Sequence, residues 1–580
     1  MNRSLWELGR IVLLLFALCV GIRTYLFFST FVIGTDSIDY IGMANTFLAG
    51  ELSEALKYIT PPLYPLLLAG MKLIVGDAEI AGKLVSLLAG SFVFFPLYYL
   101  GKGIFDREVV LMGLFFFSVN PYLARFCGEA LSESTFVFLS VTGLWLLWEG
   151  WERQRYSYFF LSGGVLGLSC LTKAQGFIWF GVLVSAPFVF AFWQRGKKIR
   201  KLNPWICFSI AGLVFLLVIS PYAYFLKGLT GEWTVRQKGA GAIMKWIGHP
   251  GSHGFWEALG YVFSHPLFLL KKLAINLMGF FRFFVRGFNY FLIFFLVVGV
   301  LAKRNKRFHL PGELYLALVC AVYILGHSLL YLKIRYLLPV VPFCLFWAGE
   351  GFFVTESYAS SFLNSHFLKF YKAHGPRFVL VSLVCLSAAV TLPETLKPQR
   401  LEKLDLKEVG LRIAALSNDR PVLLTTRRKK SRIAFYANAE KIYRLPKRIN
   451  TLEGLLKYAK GKEIDFIIAD REKKDKTGGH VFSLLVERPI SPELRLRFTY
   501  PARGQGELPR FYVYQLVAQD SYKKDVSEYA SPVCRQQPGT PLGHRVKSCL
   551  FIFFQEQVIQ YVRIDSDNVA VRDIVVCGTL

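Results

Sequence analysis

Residues 11–40 read IVLLLFALCVGIRTYLFFSTFVIGTDSIDY: an apolar run from Ile11 to Ile33 that stops at Gly34 and is followed at once by Asp36 and Asp39. A helix that crosses a bilayer needs roughly 20 apolar residues, and this run supplies them. It follows Arg3 and Arg10 and shows no small-residue cleavage site, so it reads as an uncleaved first span and not as a signal peptide. Two carboxylates at the end of a span are costly to hold near lipid, which makes Gly34–Tyr40 the first candidate for chemistry. The bland alternative is capping, because either Asp can start a surface helix.

Outward from this stretch the chain stays apolar. Hydrophobic residues make up 54% of the 580 and aromatics 16%, with 53 Phe, more than a soluble core of this length could bury. Further candidate spans lie near Ile80–Leu100, Val109–Tyr122, Leu131–Trp148, Tyr158–Leu171, Phe177–Trp193, Trp205–Leu226, Tyr290–Ala302, Leu314–Tyr331, Tyr336–Phe352 and Phe378–Leu392. Pro61–Val75 is short, begins with Pro-Pro and carries Lys72, and so reads as an interfacial helix. With that choice the basic joints fall on the side of the N-terminus: Lys102/Arg107, Arg153/Arg155, Arg195 to Lys201, Lys303 to Arg307, and Lys369/Lys372/Arg377. Counting Pro61–Val75 as a span would flip every later one. The positive-inside rule therefore predicts about eleven spans, with the N-terminus inside and the C-terminal region outside.

The expected architecture is a polytopic α-helical membrane protein with a C-terminal soluble α/β domain. Residues 1–392 form the membrane part and 393–516 the outer α/β domain. The latter is read from a helix (Leu406–Leu416), a strand (Val422–Thr425), a helix (Ser431–Tyr436) and strands at Phe466–Ala469, Leu494–Tyr500 and Arg510–Leu516. Residues 517–580 are a tail without an assigned role, mostly polar until the aromatic run Leu550–Phe554. The net charge of +28 fits loops facing an anionic leaflet, and no basic helix stands apart from the membrane segments to suggest a nucleic-acid partner. The cysteines are scattered without a CxxC pair, which argues against a zinc or disulfide framework.

Several groups could carry chemistry. After Asp36 and Asp39 come Arg125, Glu129 and Glu133, each four residues apart; on a helix the two acids would share a face, and a structural ion pair is the plain alternative. Lys173 (in Thr172–Gln175) and Lys333/Arg335 put cations at span ends, where snorkelling is the default. Lys271, Lys272, Arg282 and Arg286 lie against the charge rule in an amphipathic outer segment, as an anionic ligand at the interface would favour. His249 and His253, in His-Pro-Gly-Ser-His, read as loop and not as a metal pair. Sidedness unites the set. In the predicted topology Asp36, Asp39, Arg125, Glu129, Glu133, Lys173 and Arg335 share the outer interface, suited to a reaction that deprotonates a hydroxyl and expels a phosphate.

With these residues in hand, the chain resembles the GT-C glycosyltransferases. Asp36-Ser-Ile-Asp-Tyr with Ala44 and Gly50, then Pro61-Pro-Leu-Tyr-Pro65, is similar to their first outer loop. Ala130–Glu133, Leu171–Lys173 and Arg335–Pro339 are similar to later motifs of the protein O-mannosyltransferase and aminoarabinose-transferase type, glycosyltransferase family 39. The resemblance covers about Arg10 to Leu516 and rests on the order and spacing of its motifs. It implies a polyprenyl- or dolichyl-phosphate-linked sugar donor and inverting transfer to a protein, lipid or glycan hydroxyl. Asp36 matches the catalytic carboxylate, which would act as general base. Ser37 stands where many members carry a second acid, leaving Asp39, Glu129 or Glu133 as helper. In some relatives such an acid helps hold a divalent ion, so metal dependence stays open; no organic cofactor is expected. Arg125, Lys173, Arg335 and Lys271 are the candidates for the donor phosphate. The expected place is a bacterial inner membrane, with the site on its outer side. Two other readings are a transporter or flippase of lipid-linked saccharides, which should carry ionisable residues near mid-span in repeated halves, and a non-catalytic envelope assembly protein.

Overall fold

The apolar N-terminal run folds as one helix, α1 (Asn2–Ser29), and the chain leaves helical geometry at 30–34 before α2 (Thr35–Leu48). The structure is a computed structural model describing residues 2–194, 202–236, 260, 264–302, 310–328, 334–366, 376–425, 432–446, 449, 451–470, 485, 493–501, 509–516, 550–555 and 558–563. His249, His253, Lys333 and the basic joints at 195–201, 303–307 and 369–372 lie outside the described residues. The chain divides into two compact units, Met1–Leu516 and Val517–Leu580.

A short α3 (Leu52–Leu56) precedes α4 (Leu63–Val75), α5 (Ala78–Phe92), α6 (Phe94–Lys102), α7 (Arg107–Val119), α8 (Pro121–Arg125), α9 (Glu133–Arg153), α10 (Tyr156–Thr172), α11 (Ile178–Gln194) and α12 (Pro204–Thr230). Further helices run over Pro266–Phe288, Tyr290–Leu301, Leu310–Ser328, Val341–His366 and Pro376–Thr395. Among the described residues, 6 helices are long and apolar enough to cross a membrane, or up to 8 if each bent pair is one span. That is fewer than the number read from the sequence, and charge or length accounts for the difference. Helix α9 carries Glu133, Glu149, Glu152 and Arg153, Val341–His366 carries Glu350 and Glu356, and α10 has only 17 residues. Much of α9 is buried against neighbouring helices, so less of its surface has to suit lipid. Helix α4, with 13 residues, is too short to cross, and its Lys72 Nζ donates to Asn45 Oδ1 of α2 at 2.7 Å.

Large side chains such as Leu13, Leu14, Phe28, Leu73 and Ile74 remain exposed, as a lipid-facing surface requires. Inside the bundle, lipid offers no hydrophobic drive between helices, so close approach and polar contacts hold them. Ser162 Oγ of α10 donates to Gly143 O of α9 at 2.7 Å, and Tyr315 Oη donates to Leu144 O at 2.9 Å. Helices Tyr290–Leu301 and Val341–His366 meet backbone to backbone: a Cβ on Gly351 would lie 1.8 Å from Phe295 O, and one on Gly299 1.9 Å from Trp347 O. The amphipathic helix Pro266–Phe288 turns by 112° into Tyr290–Leu301. Asn289 makes that corner at φ 78°; its Oδ1 accepts from Phe291 N at 2.9 Å and its Nδ2 donates to Glu394 at 3.0 Å.

Beyond the bundle a five-stranded sheet has the order β2-β1-β3-β5-β4, with β1 (Val422–Thr425), β2 (Lys441–Arg444), β3 (Phe466–Asp470), β4 (Leu494–Tyr500) and β5 (Phe511–Leu516). Strand β1 pairs in parallel with β2 and β3, while β5 runs antiparallel to both β3 and β4. Helices cover both faces. Leu404–Leu416 and Arg432–Tyr436 pack over Leu423, Phe466 and Ile468, and Leu452–Lys460 packs over Leu424 and Ile467. With both faces covered, β3 is buried at every position, and Phe466–Ala469 read as a continuous apolar run up to Asp470. In the second unit β6 (Leu550–Gln555) and β7 (Val558–Arg563) form an antiparallel pair.

Candidate active site

Four separate parts of the chain converge on one set of charges: the start of α2, the start of α9, the end of α10 and the turn Ile334–Leu337. Arg335 Nη1 lies 2.6 Å from Asp36 Oδ2 and 3.5 Å from Glu133 Oε1. Lys173 Nζ lies 2.6 Å from the same Glu133 oxygen. The result is a continuous line, Asp36–Arg335–Glu133–Lys173, open at Asp36 and enclosed at Glu133. The side chain of Asp36 is 45% exposed, that of Arg335 27%, that of Lys173 13% and that of Glu133 2%. Tyr336 lies under both cations, 5.9 Å from each.

Local sequence explains each placement. Gly34 is the N-cap of α2 and no side chain caps that end, so Asp36 sits in the first turn without serving as a cap. Its charge favours the helix N-terminus and its carboxylate stays available to Arg335. Glu133 begins α9 in the same way, but enclosed. Lys173 follows α10 with extended backbone (φ −154°, ψ 123°), and its side chain, only 13% exposed, pairs with Glu133 and does not snorkel. Burial depresses the Lys173 ammonium below its ordinary value, with Glu133 opposing that shift. For Arg335, burial also works against the charge, but Glu133 and Asp36 outweigh it and hold the guanidinium firmly protonated. Tyr40, on α2, shares a hydrogen bond of 2.8 Å with Ser132 beside Glu133; burial first and Glu133 second push its phenol up, so it stays neutral.

Glu129 and Glu133 do not share a helical face. Glu129, which follows the 3-10 turn Phe126–Gly128, is extended (φ −108°, ψ 142°), and residues 130–132 are not helical, so the helical run is interrupted before α9 starts. Glu129 belongs to a second node, paired with Arg400 and, at 3.6 Å, with Arg125. Arg125 is half exposed and reaches Glu129, four residues on. Asp39 is half-buried on α2, next to this region. Lys271 is exposed on Pro266–Phe288 and is not brought into the line of charges.

Sequence reasoning missed three participants. Arg400 pairs with Glu129 and also crowds Gly34, where a Cβ would lie 2.9 Å from its Nη1. Arg23 is fully buried in α1, donating to Cys19 O at 3.1 Å and Phe117 O at 3.3 Å. It lines, with Glu133, a void of about 10 Å³, the room of a single water. Tyr436 of the α/β domain reaches the segment before Asp36. A lone Arg inside an apolar run was the one signal available, and it was visible at Arg23.

Asp36 and Glu133 each hold a cation at 2.6 Å, and among the described residues no group of three His, Cys, Asp or Glu converges.

Residues 60–225 match the profile of the dolichyl-phosphate-mannose-protein mannosyltransferase family. No curated protein matches the chain by sequence. Among solved structures, apo ArnT from Cupriavidus metallidurans superposes with TM-score 0.55 at 13% identity, covering 87% of this chain and 97% of that one. ArnT bound to undecaprenyl phosphate gives 0.54 at 14% identity, covering 88% and 98%. The apo oligosaccharyltransferase of Archaeoglobus fulgidus gives 0.53 at 13% identity, covering 79% and 69%. At such identities the likeness is one of fold.

Proposed function

We propose that the chain is a GT-C membrane glycosyltransferase, as its match to the mannosyltransferase profile over residues 60–225 and its ArnT-like fold support, and that it transfers a sugar from a polyprenyl-phosphate carrier to an acceptor hydroxyl, with inversion, at the outer face of a bacterial inner membrane. The observation that carries this reading is the line Asp36–Arg335–Glu133–Lys173, a partly exposed carboxylate backed by two cations. ArnT, of the same fold, binds undecaprenyl phosphate, and we extend that class of carrier to this chain.

The chemistry follows from the residues. Asp36, the most open acid of the line, takes the proton of the acceptor hydroxyl. The acceptor oxygen forms a bond to the anomeric carbon as the bond from that carbon to the phosphate oxygen breaks, and the electron pair leaves with the phosphate. Arg335 and Lys173 receive the developing charge, and cations at such a position contribute roughly 10²–10³ in rate. A phosphate leaves as a stable anion, so one base suffices where a glycosidase needs two carboxyl groups. Arg335 also couples the steps. At rest it neutralises Asp36; a phosphate that draws the guanidinium away frees the carboxylate as a base only when the donor is present. Glu133, enclosed between Lys173 and Arg335, holds both cations in place.

The test uses purified wild type and Asp36→Asn with a panel of radiolabelled polyprenyl-phosphate sugars and a membrane acceptor fraction. Label transfer by wild type alone, with the variant still folded, is the expected result. Equal transfer by both would remove Asp36 as base, and no transfer by wild type across the panel would remove the donor class.

A further inference from the structure

The segment at 30–34, which joins α1 to the base-bearing helix, has little helical hydrogen bonding of its own, so its backbone groups need partners from elsewhere. They find them in the α/β domain, the linker before it and α5. Phe31 N donates to Gln399 O at 3.2 Å, and Lys407 Nζ donates to Phe31 O at 3.4 Å. Lys83 Nζ donates to Thr30 O at 2.8 Å. Ile33, three residues before Asp36, is held at both of its peptide groups by a single five-residue helix. Its N–H donates to Tyr436 Oη at 2.8 Å, and its carbonyl accepts from Arg432 Nε at 2.6 Å.

Tyr436 passes the contact on. Its hydroxyl donates to Glu79 Oε2 of α5 at 3.1 Å, and Glu79 pairs with Lys83 at 3.0 Å. Together with the Lys83 bond to Thr30, this closes a ring through Thr30, Lys83, Glu79, Tyr436 and Ile33. Glu79 and Lys83 are each 11% exposed in their side chains, so the ring is shielded from solvent. Burial, aided by the charge of Glu79, pushes the Tyr436 phenol up and keeps its proton available for donation.

We propose that the helix Arg432–Tyr436 is a clamp on Ile33, and that Arg432 and Tyr436 are positioning residues for Asp36. The α/β domain then acts in the transfer step by fixing the base and not only by offering a surface to the acceptor. This inference rests on the reading of Asp36 as base. A displacement of the base by about 1 Å is enough to cost on the order of 10²-fold in rate, and the clamp supplies the constraint that α2, beginning only at Thr35, cannot supply for itself.

The experiment uses the full chain in detergent with Tyr436→Phe, Arg432→Gln, Arg432→Lys and Asp36→Asn. Two quantities are read: amide hydrogen exchange of residues 30–40, and kcat and KM with whichever polyprenyl-phosphate sugar the wild type accepts. Tyr436→Phe keeps the ring and removes only the hydroxyl. We expect its exchange over 30–40 to quicken about tenfold and its kcat to fall about tenfold, as for a lost hydrogen bond of ordinary strength. KM for the donor should stay within about twofold, because no donor contact is touched. Arg432→Gln should behave likewise and Arg432→Lys should recover part of the loss. Unchanged exchange in both Tyr436→Phe and Arg432→Gln would remove the clamp. Faster exchange with unchanged kcat, while Asp36→Asn is inactive, would remove the positioning role alone. Full activity of Asp36→Asn would remove the base reading, and the exchange measurement would still decide whether the clamp exists.

Discussion

Replacing Lys173 by Met removes the cation 2.6 Å from Glu133 and leaves a carboxylate that is 2% exposed. Breaking one side of a buried pair costs about 3–5 kcal/mol, because the remaining charge is desolvated without compensation. Here Arg335 remains, 3.5 Å from the same oxygen, so the lower end, about 3 kcal/mol, is expected. Glu133→Gln in turn leaves Lys173 short of its acceptor and should cost about 2 kcal/mol. The double variant Lys173→Met/Glu133→Gln removes both charges and keeps the volume, and should lie within about 1 kcal/mol of wild type. The depressed Lys173 ammonium points the same way: burial is the largest influence on it and outweighs the attraction of Glu133. The assay is reversible unfolding in mixed micelles by rising SDS. The cycle should give a coupling of roughly 4–5 kcal/mol, well beyond the few tenths seen for independent sites. Additive single variants, with coupling below about 0.5 kcal/mol, would refute the pair as an energetic unit.

Further outcomes follow from the same geometry. Because the folded state gives up the Lys173 proton more readily than the ordinary 10.5, wild type should gain stability relative to Lys173→Met as pH rises toward that value; a flat difference in Tm across that range would contradict the depressed ammonium. Arg335→Gln should lower kcat by about 10²–10³, and Arg335→Lys should not restore it fully, since one ammonium cannot span Asp36 and Glu133 as the guanidinium does. Gly351→Ala, whose Cβ would meet Phe295 O at 1.8 Å, should force two helices apart and cost about 1–3 kcal/mol, read as a lower Tm in detergent. Label transfer should persist in excess EDTA, given carboxylates already taken by cations; loss of activity that Mg²⁺ or Mn²⁺ restores would overturn that expectation.

The candidate site was legible in residue type and only partly in arrangement. Asp36, Glu133, Lys173 and Arg335 stood out as charges at the ends of apolar runs, where lipid makes a charge expensive. Their pairing was not readable, because Asp36 and Arg335 are 299 residues apart and nothing local links them. Glu129 and Glu133 misled through spacing, since four residues mean a shared face only where the helix is continuous. In the α/β domain the runs Val422–Thr425 and Leu494–Tyr500 were visible as strands, while the edge strand Lys441–Arg444, with charged ends, only two apolar residues and no buried position, was too short a run to stand out.

Composition alone determined that this is a multi-helix membrane protein, because its apolar surface exceeds what a soluble core could hide. It determined the charged residues worth watching, and the order of motifs pointed to a GT-C transferase. Tertiary structure decided which charges meet, which acid is open and which is enclosed, and that a tyrosine and an arginine from the α/β domain hold the backbone before Asp36. The physical reason is range: hydropathy and helical period are properties of a local window, whereas ion pairs and backbone clamps depend on distances that only the packed chain sets.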